Sequence, residues 1–108
     1  MRTVTFSFKP SVSVDVVAYN IIIENSANGG VLYDKALLLS EFTVNDITGN
    51  YELVLNSLSE LDGFDGVCTI TVFAVDDAGN PSPDAVLEDV ELDFLAPDAP
   101  TDLRIVRS

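Results

Sequence analysis

Histidine and tryptophan are both absent from the 108 residues. Without histidine there is no imidazole base for a nucleophile triad and no histidine ligand for zinc. The one side chain that ordinarily titrates near neutrality is also missing. Cysteine occurs once, so Cys68 can neither close an internal disulfide nor build a thiolate metal cage alone. It lies in an alternating apolar stretch, which predicts a buried structural thiol. A lone thiol does not fix the redox compartment. Cations are scarce: five against eighteen acids, a net charge of −13. Between Pro10 and Leu103 the only cation is Lys35, and all eighteen acids lie in that span, leaving it at −17. Such a field repels phosphates, so no nucleic acid is expected as a partner, and an anionic membrane surface is disfavoured. No apolar run reaches the roughly 18 residues of a spanning helix, so no membrane insertion is expected either. Gly29-Gly30 and Gly63/Gly66 match no phosphate-cradling loop. Met1-Arg2 runs straight into Thr3-Val4-Thr5-Phe6 with no apolar leader. That leaves a mature start, an excised module and an internal protein all open.

What the chain does have is apolar content, 47% of its residues, enough for one core. The periodicity is two, not 3.6. Val4, Phe6 and Phe8 alternate with Thr5 and Ser7, a half-buried strand that ends at Lys9-Pro10. Val12, Val14 and Val16 keep one phase; Val17, Tyr19, Ile21 and Ile23 keep the other. That slip predicts a bulge near Val16-Val17, with a full strand from Val17 to Glu24. Asn25 to Gly30 is a turn cluster. Val31 to Ser40 is expected as an extended edge region, although Ala36-Leu37-Leu38-Leu39 fits strand or helix. Thr48-Gly49-Asn50 turns the chain into a strand through Tyr51, Leu53 and Leu55. Leu58 and Leu61 suit one helical turn. After the Asp62–Gly66 turn, Cys68, Ile70, Val72 and Ala74 share one face and Thr69 and Thr71 the other. Asp76 to Pro83 is a long turn, and Val90, Leu92 and Phe94 mark the last strand. The expected fold is all-β, an antiparallel two-sheet sandwich in one domain over 1–95, followed by a Pro-containing exit segment over 96–108.

The stretch Leu61–Asn80, LDGFDGVCTITVFAVDDAGN, resembles the penultimate-strand region of fibronectin type III and bacterial immunoglobulin-like domains. Its ending, Val72-Phe73-Ala74-Val75-Asp76-Asp77-Ala78-Gly79-Asn80, is the specific part. Ala18–Ile23 is similar to the family's third strand and Thr3–Phe8 to its second, with Phe8 where a tryptophan is common. The resemblance covers roughly residues 3–95 and implies an immunoglobulin-like sandwich. Two departures stand out. Where the family starts the penultimate strand with a corner tyrosine, this chain has Cys68, so Leu58, Leu61 and Phe64 are candidates to hold that corner by packing. The segment from Ala96 to Val106 looks like the family's first strand, but lies at the end of the chain. It can begin a following module, fold back as an edge strand, or fill the edge of a neighbouring molecule.

Carboxylates are plentiful, yet those of Glu88-Asp89-Val90-Glu91-Leu92-Asp93 alternate with apolar residues and so face water. A paired-carboxylate hydrolase needs an acid in an apolar cleft, and a sandwich of this length has little material for one. No catalytic residue is expected. Calcium is the stronger option: Asp76, Asp77 and Asn80 share one turn, and Asp62 and Asp65 flank another at the opposite end of the same strand. Against it stands ordinary turn chemistry, with Asp and Asn capping backbone amides. Tyr33 is the best-exposed aromatic candidate for a sugar; Tyr19 and Tyr51 keep phase with the core. The expected function is a non-catalytic structural or protein-interaction module of a larger bacterial surface, secreted or phage-type assembly. Its partners would be neighbouring modules or itself through the C-terminal segment. The alternative is a carbohydrate- or calcium-binding module using the loops Asn25–Gly30 and Asp76–Pro83.

Overall fold

In the computed structural model the described residues are 3–95, 99–100 and 104–106. Among the described residues there are seven strands, β1 (Thr5–Phe8), β2 (Val16–Asn25), β3 (Val31–Leu38), β4 (Thr43–Val44), β5 (Tyr51–Val54), β6 (Asp65–Asp76) and β7 (Ala85–Asp93). All pairings are antiparallel. They form a three-stranded sheet, β1-β5-β4, and a four-stranded sheet, β3-β2-β6-β7. The chain is therefore an all-β two-sheet sandwich, as the period-two pattern requires. Of the 96–108 segment, residues 99–100 and 104–106 lie in no strand, and the remainder falls outside the described residues.

Alternation explains the core. Tyr19, Ile21 and Ile23 on β2 and Cys68, Ile70, Val72 and Ala74 on β6 point between the sheets and are buried. The phase slip appears where the sequence places it, as a register shift between Val16 and Ala18 against β6. Val17 lies at that shift and is turned outward, so it does not share the face of Tyr19 as its phase predicts. β3 is an edge strand as expected; the ambiguous leucine run stays extended to Leu38 and closes in a 3-10 turn over Leu39–Glu41. The Glu41 carboxylate accepts the Leu38 N–H at 2.7 Å.

Two 3-10 turns, Leu55–Ser57 and Ser59–Leu61, carry the chain from β5 to β6. Leu55 and Leu61 are buried there, and Leu58 and Phe64 pack against the core, so apolar packing holds the corner before β6. In the short sheet, Phe6, Phe8 and Tyr51 meet Tyr19 and Phe42 as a cluster of rings with centroids 4.9–6.0 Å apart. Edge-on packing of this kind adds about 0.5–1.5 kcal/mol per pair beyond burial. No described buried side-chain polar atom lacks a hydrogen-bond partner.

Candidate functional site

The Asp76–Pro83 turn carries the calcium candidates, and its geometry is internally satisfied. One Asp76 carboxylate oxygen accepts the Ala78 N–H at 3.0 Å and the Asn80 N–H at 2.8 Å; the other accepts the Asn80 side-chain amide at 3.1 Å. These bonds, the Asn80 N–H first, hold the Asp76 carboxyl below the usual aspartate range. Gly79 takes φ +84°, a conformation that L side chains avoid, and lets the chain return so that the Asp76 N–H reaches the Asn80 carbonyl. The Asp77 N–H donates to the Asp15 carbonyl at 3.1 Å, which ties the turn to the loop before β2. Asp76, Asp77 and Asn80 thus come together as sequence spacing requires, but two of the three are bound to each other. Among the described residues no cluster of three or more acidic or thiol groups is placed to hold a metal.

Beside this turn is an open hollow of about 230 Å³ lined by Ser11, Ser13, Asp15, Asp76, Asn80 and Ser82, among others. Three bonds without a sequence signal shape it. The Tyr19 hydroxyl accepts the Ser11 N–H at 2.8 Å, fixing the loop after β1. Ser82 is joined to Ala74 twice: its hydroxyl accepts the Ala74 N–H, and its own N–H donates to the Ala74 carbonyl, both at 2.8 Å. The Ser82 bonds had no sequence signal beyond the position of a serine in a turn.

The other candidates are scattered. Asn25 pairs with Cys68 and Val16 with Asp76, so the Asn25–Gly30 loop and the Asp76–Pro83 turn lie toward opposite ends of β6. At roughly 3.3 Å per residue the steps from Asp65 to Asp76 span about 36 Å and those from Cys68 to Asp76 about 26 Å, so the two loops form no common ligand surface. The same separation keeps Asp62 and Asp65 away from Asp76. Tyr33, expected to be the exposed aromatic, is instead 3% exposed. It lies opposite Ile23, on the inward side of β3, and burial pushes its hydroxyl pKa up. Tyr19 is buried and Tyr51 half-buried in the ring cluster, so no described tyrosine offers an open face.

The remaining displaced pKa values have structural causes. Lys35 and Glu60 form an ion pair that raises the lysine and lowers the glutamate. Cys68 is fully buried, and desolvation raises its thiol. The chain matches no protein-family model, no curated protein and no solved structure.

Proposed function

We propose that this chain is a non-catalytic structural or protein-interaction module, an immunoglobulin-like domain of fibronectin type III kind serving a larger bacterial surface, secreted or phage-type assembly. The observation that carries this reading is that every displaced titratable group has a structural cause in burial, a turn or a surface ion pair. Active sites gather such groups in a cleft. Here Tyr33 and Cys68 are perturbed by burial, Asp76 by the bonds of its own turn, and Lys35 and Glu60 by a surface ion pair beside Tyr33. Strand order supports the family kinship. A sheet of order β3-β2-β6-β7 facing β1-β5-β4 matches an immunoglobulin-like Greek key from its second strand onward. The sixteen acids of residues 3–95 then serve solubility.

The experiment is a glycan array combined with a calcium titration and melts in calcium and in EDTA. The expected result is silence on the array and superimposable melts. Saturable sugar binding, or a melting shift of more than a few degrees with calcium, would replace this reading with the ligand-binding one.

A further inference from the structure

We propose that the outer edge of β1 receives the C-terminal segment of a second copy of this chain, entering as an antiparallel strand across the uncovered inward side of β7. The inference deepens the assembly-module reading and rests on it. Four strands border the two sheets: β1 and β4 in one, β3 and β7 in the other. A bare sheet edge pairs with foreign strands unless it is short, bulged or charged. β4 has two residues. β7 has an extra residue at a register shift, where Asp89 takes φ 57° among acids. β3 carries Lys35, an inward-pointing charge. β1 is itself only four residues long and stops at Lys9-Pro10, but within those four residues it carries neither a bulge nor a charge.

The hydrogen-bond parity of β1 gives the edge its chemistry. The Leu55 N–H donates to the Val4 carbonyl at 2.8 Å, and Phe6 and Phe8 lie opposite Leu53 and Tyr51. Backbone groups alternate in an antiparallel ladder, so those of Val4, Phe6 and Phe8 are directed at β5. Those of Thr5 and Ser7 are directed away from it, and no described residue pairs with them.

β7 shows what is missing beside that edge. Residues directly opposite share a sheet face. Leu87 lies opposite Ile70 and therefore points inward, yet Leu87 is 51% exposed while Ile70 is 1% exposed. Nothing in the facing sheet reaches past β1 to cover it. Two residues along β7 from Leu87, at Ala85, a hollow of about 160 Å³ opens, bordered by Phe8 and Lys9 on one side and Val72 and Ala85 on the other.

The occupant follows from shape and charge. Thr101-Asp102-Leu103-Arg104-Ile105-Val106 contains no proline, spans about 20 Å when extended, and puts Leu103 and Ile105 on one face. Ile105 and Val106 are 81% and 84% exposed. Arg104 lies within the segment and Arg107 follows it, whereas residues 3–95 hold sixteen acids against Lys9 and Lys35. The same chain cannot supply the strand in this direction. Asp93 pairs with Asp65, at the end of the sandwich where β1 begins, so its own tail would lie parallel to β1. To enter antiparallel it must travel the length of β7, about 26 Å, and also cross about 10 Å to the facing sheet, whereas the chain from Phe94, tethered to the Phe64 carbonyl, to residue 101 reaches at most about 25 Å.

The test is complementation in sedimentation equilibrium with full-length chains. The wild type should show at least twice the 11.6 kDa monomer mass at hundreds of micromolar. Leu103→Asp combined with Ile105→Asp destroys the donor and keeps the edge. Ser7→Pro removes an outward N–H and keeps the donor, with Leu87→Lys replacing it if the proline variant fails to melt cooperatively. Each variant alone should be monomeric, and an equimolar mixture should restore a dimer. A monomeric wild type, a donor variant that associates as the wild type does, or a mixture that stays monomeric overturns the inference. A monomeric wild type leaves the non-catalytic reading standing, because sugar and calcium silence tests that reading separately.

Discussion

The two sheets divide the work unequally. β2, β3, β6 and β7 run for eight to twelve residues, and β2 and β6 at the centre of that sheet bury an aliphatic face. β1, β4 and β5 have two to four residues each. Short ladders contribute few backbone bonds, so the small sheet depends on its ring cluster and on bonds such as the Val4 N–H to the Asn56 side-chain oxygen, 2.7 Å. The long sheet supplies cohesion, and the short one supplies the surface at which further structure can be added.

The largest expected effect tests that division directly. Ile21 is fully buried between β3 and β6, and Ile21→Ala should cost about 2–5 kcal/mol. That is a large part of the roughly 5–15 kcal/mol of an ordinary domain. Leu53→Ala, at a half-buried position of β5, should cost clearly less by denaturant titration. Cys68 provides a second readout. It is fully buried with a raised pKa, so thiol reagents should modify it only through unfolding, faster in Ile21→Ala and scarcely faster in Leu53→Ala. Equal costs would end the distinction between the sheets.

The same contrast governs what could be read from sequence. In the long sheet, alternation located β2 and β6 and the bulge at Val16–Ala18, because a one-residue slip moves every side chain to the other face. β4 was invisible, since Thr43-Val44 is too short to alternate. The first half of β7 was missed because the extra residue near Asp89 breaks the phase between Leu87 and Val90. Tyr33 was misjudged for a different reason: its inward face also carries Lys35, and a charge in phase with a tyrosine suggests solvent. The open edge of β1 had no local signal, because vacancy beside a strand depends on tertiary order. Only the first-strand likeness of the C-terminal segment hinted at it.

A smaller effect is expected at the Asp76 turn, where cohesion is local. Asp76 has a folded pKa below its unfolded value of about 3.9, so its ionised form stabilises the fold. That contribution is present above the unfolded pKa and is lost as pH falls through the folded one. Asp76→Ala should lower the melting temperature by a few degrees at neutral pH, and the gap between variant and wild type should close in acid. The other carboxylates titrate in both proteins and cancel in the difference. A gap that persists at the lowest pH would mean that the substitution acts through the backbone of the turn instead of through the carboxylate bonds.

The smallest effect on stability is expected at Lys35, and it sharpens the comparison between the β1 and β3 edges. Lys35 lies opposite Ile21 and so points inward, but from an edge strand its ammonium passes over the Tyr33 ring, 5.5 Å from the centroid, to pair with Glu60. The Lys35 side chain is 57% exposed, and solvent-facing pairs contribute little to stability. Lys35→Ile should leave the melting temperature within error and insensitive to added salt. Its consequence is at the edge, because an inward charge is costly to trap beneath a docked strand. Removing it should give β3 the same openness as β1. Placed in the chain with Leu103→Asp and Ile105→Asp, the substitution should restore association by a route that no longer needs the C-terminal segment. If that triple variant stays monomeric, the inward lysine is not what guards β3, and the difference between the two edges must lie in the uncovered side of β7 alone.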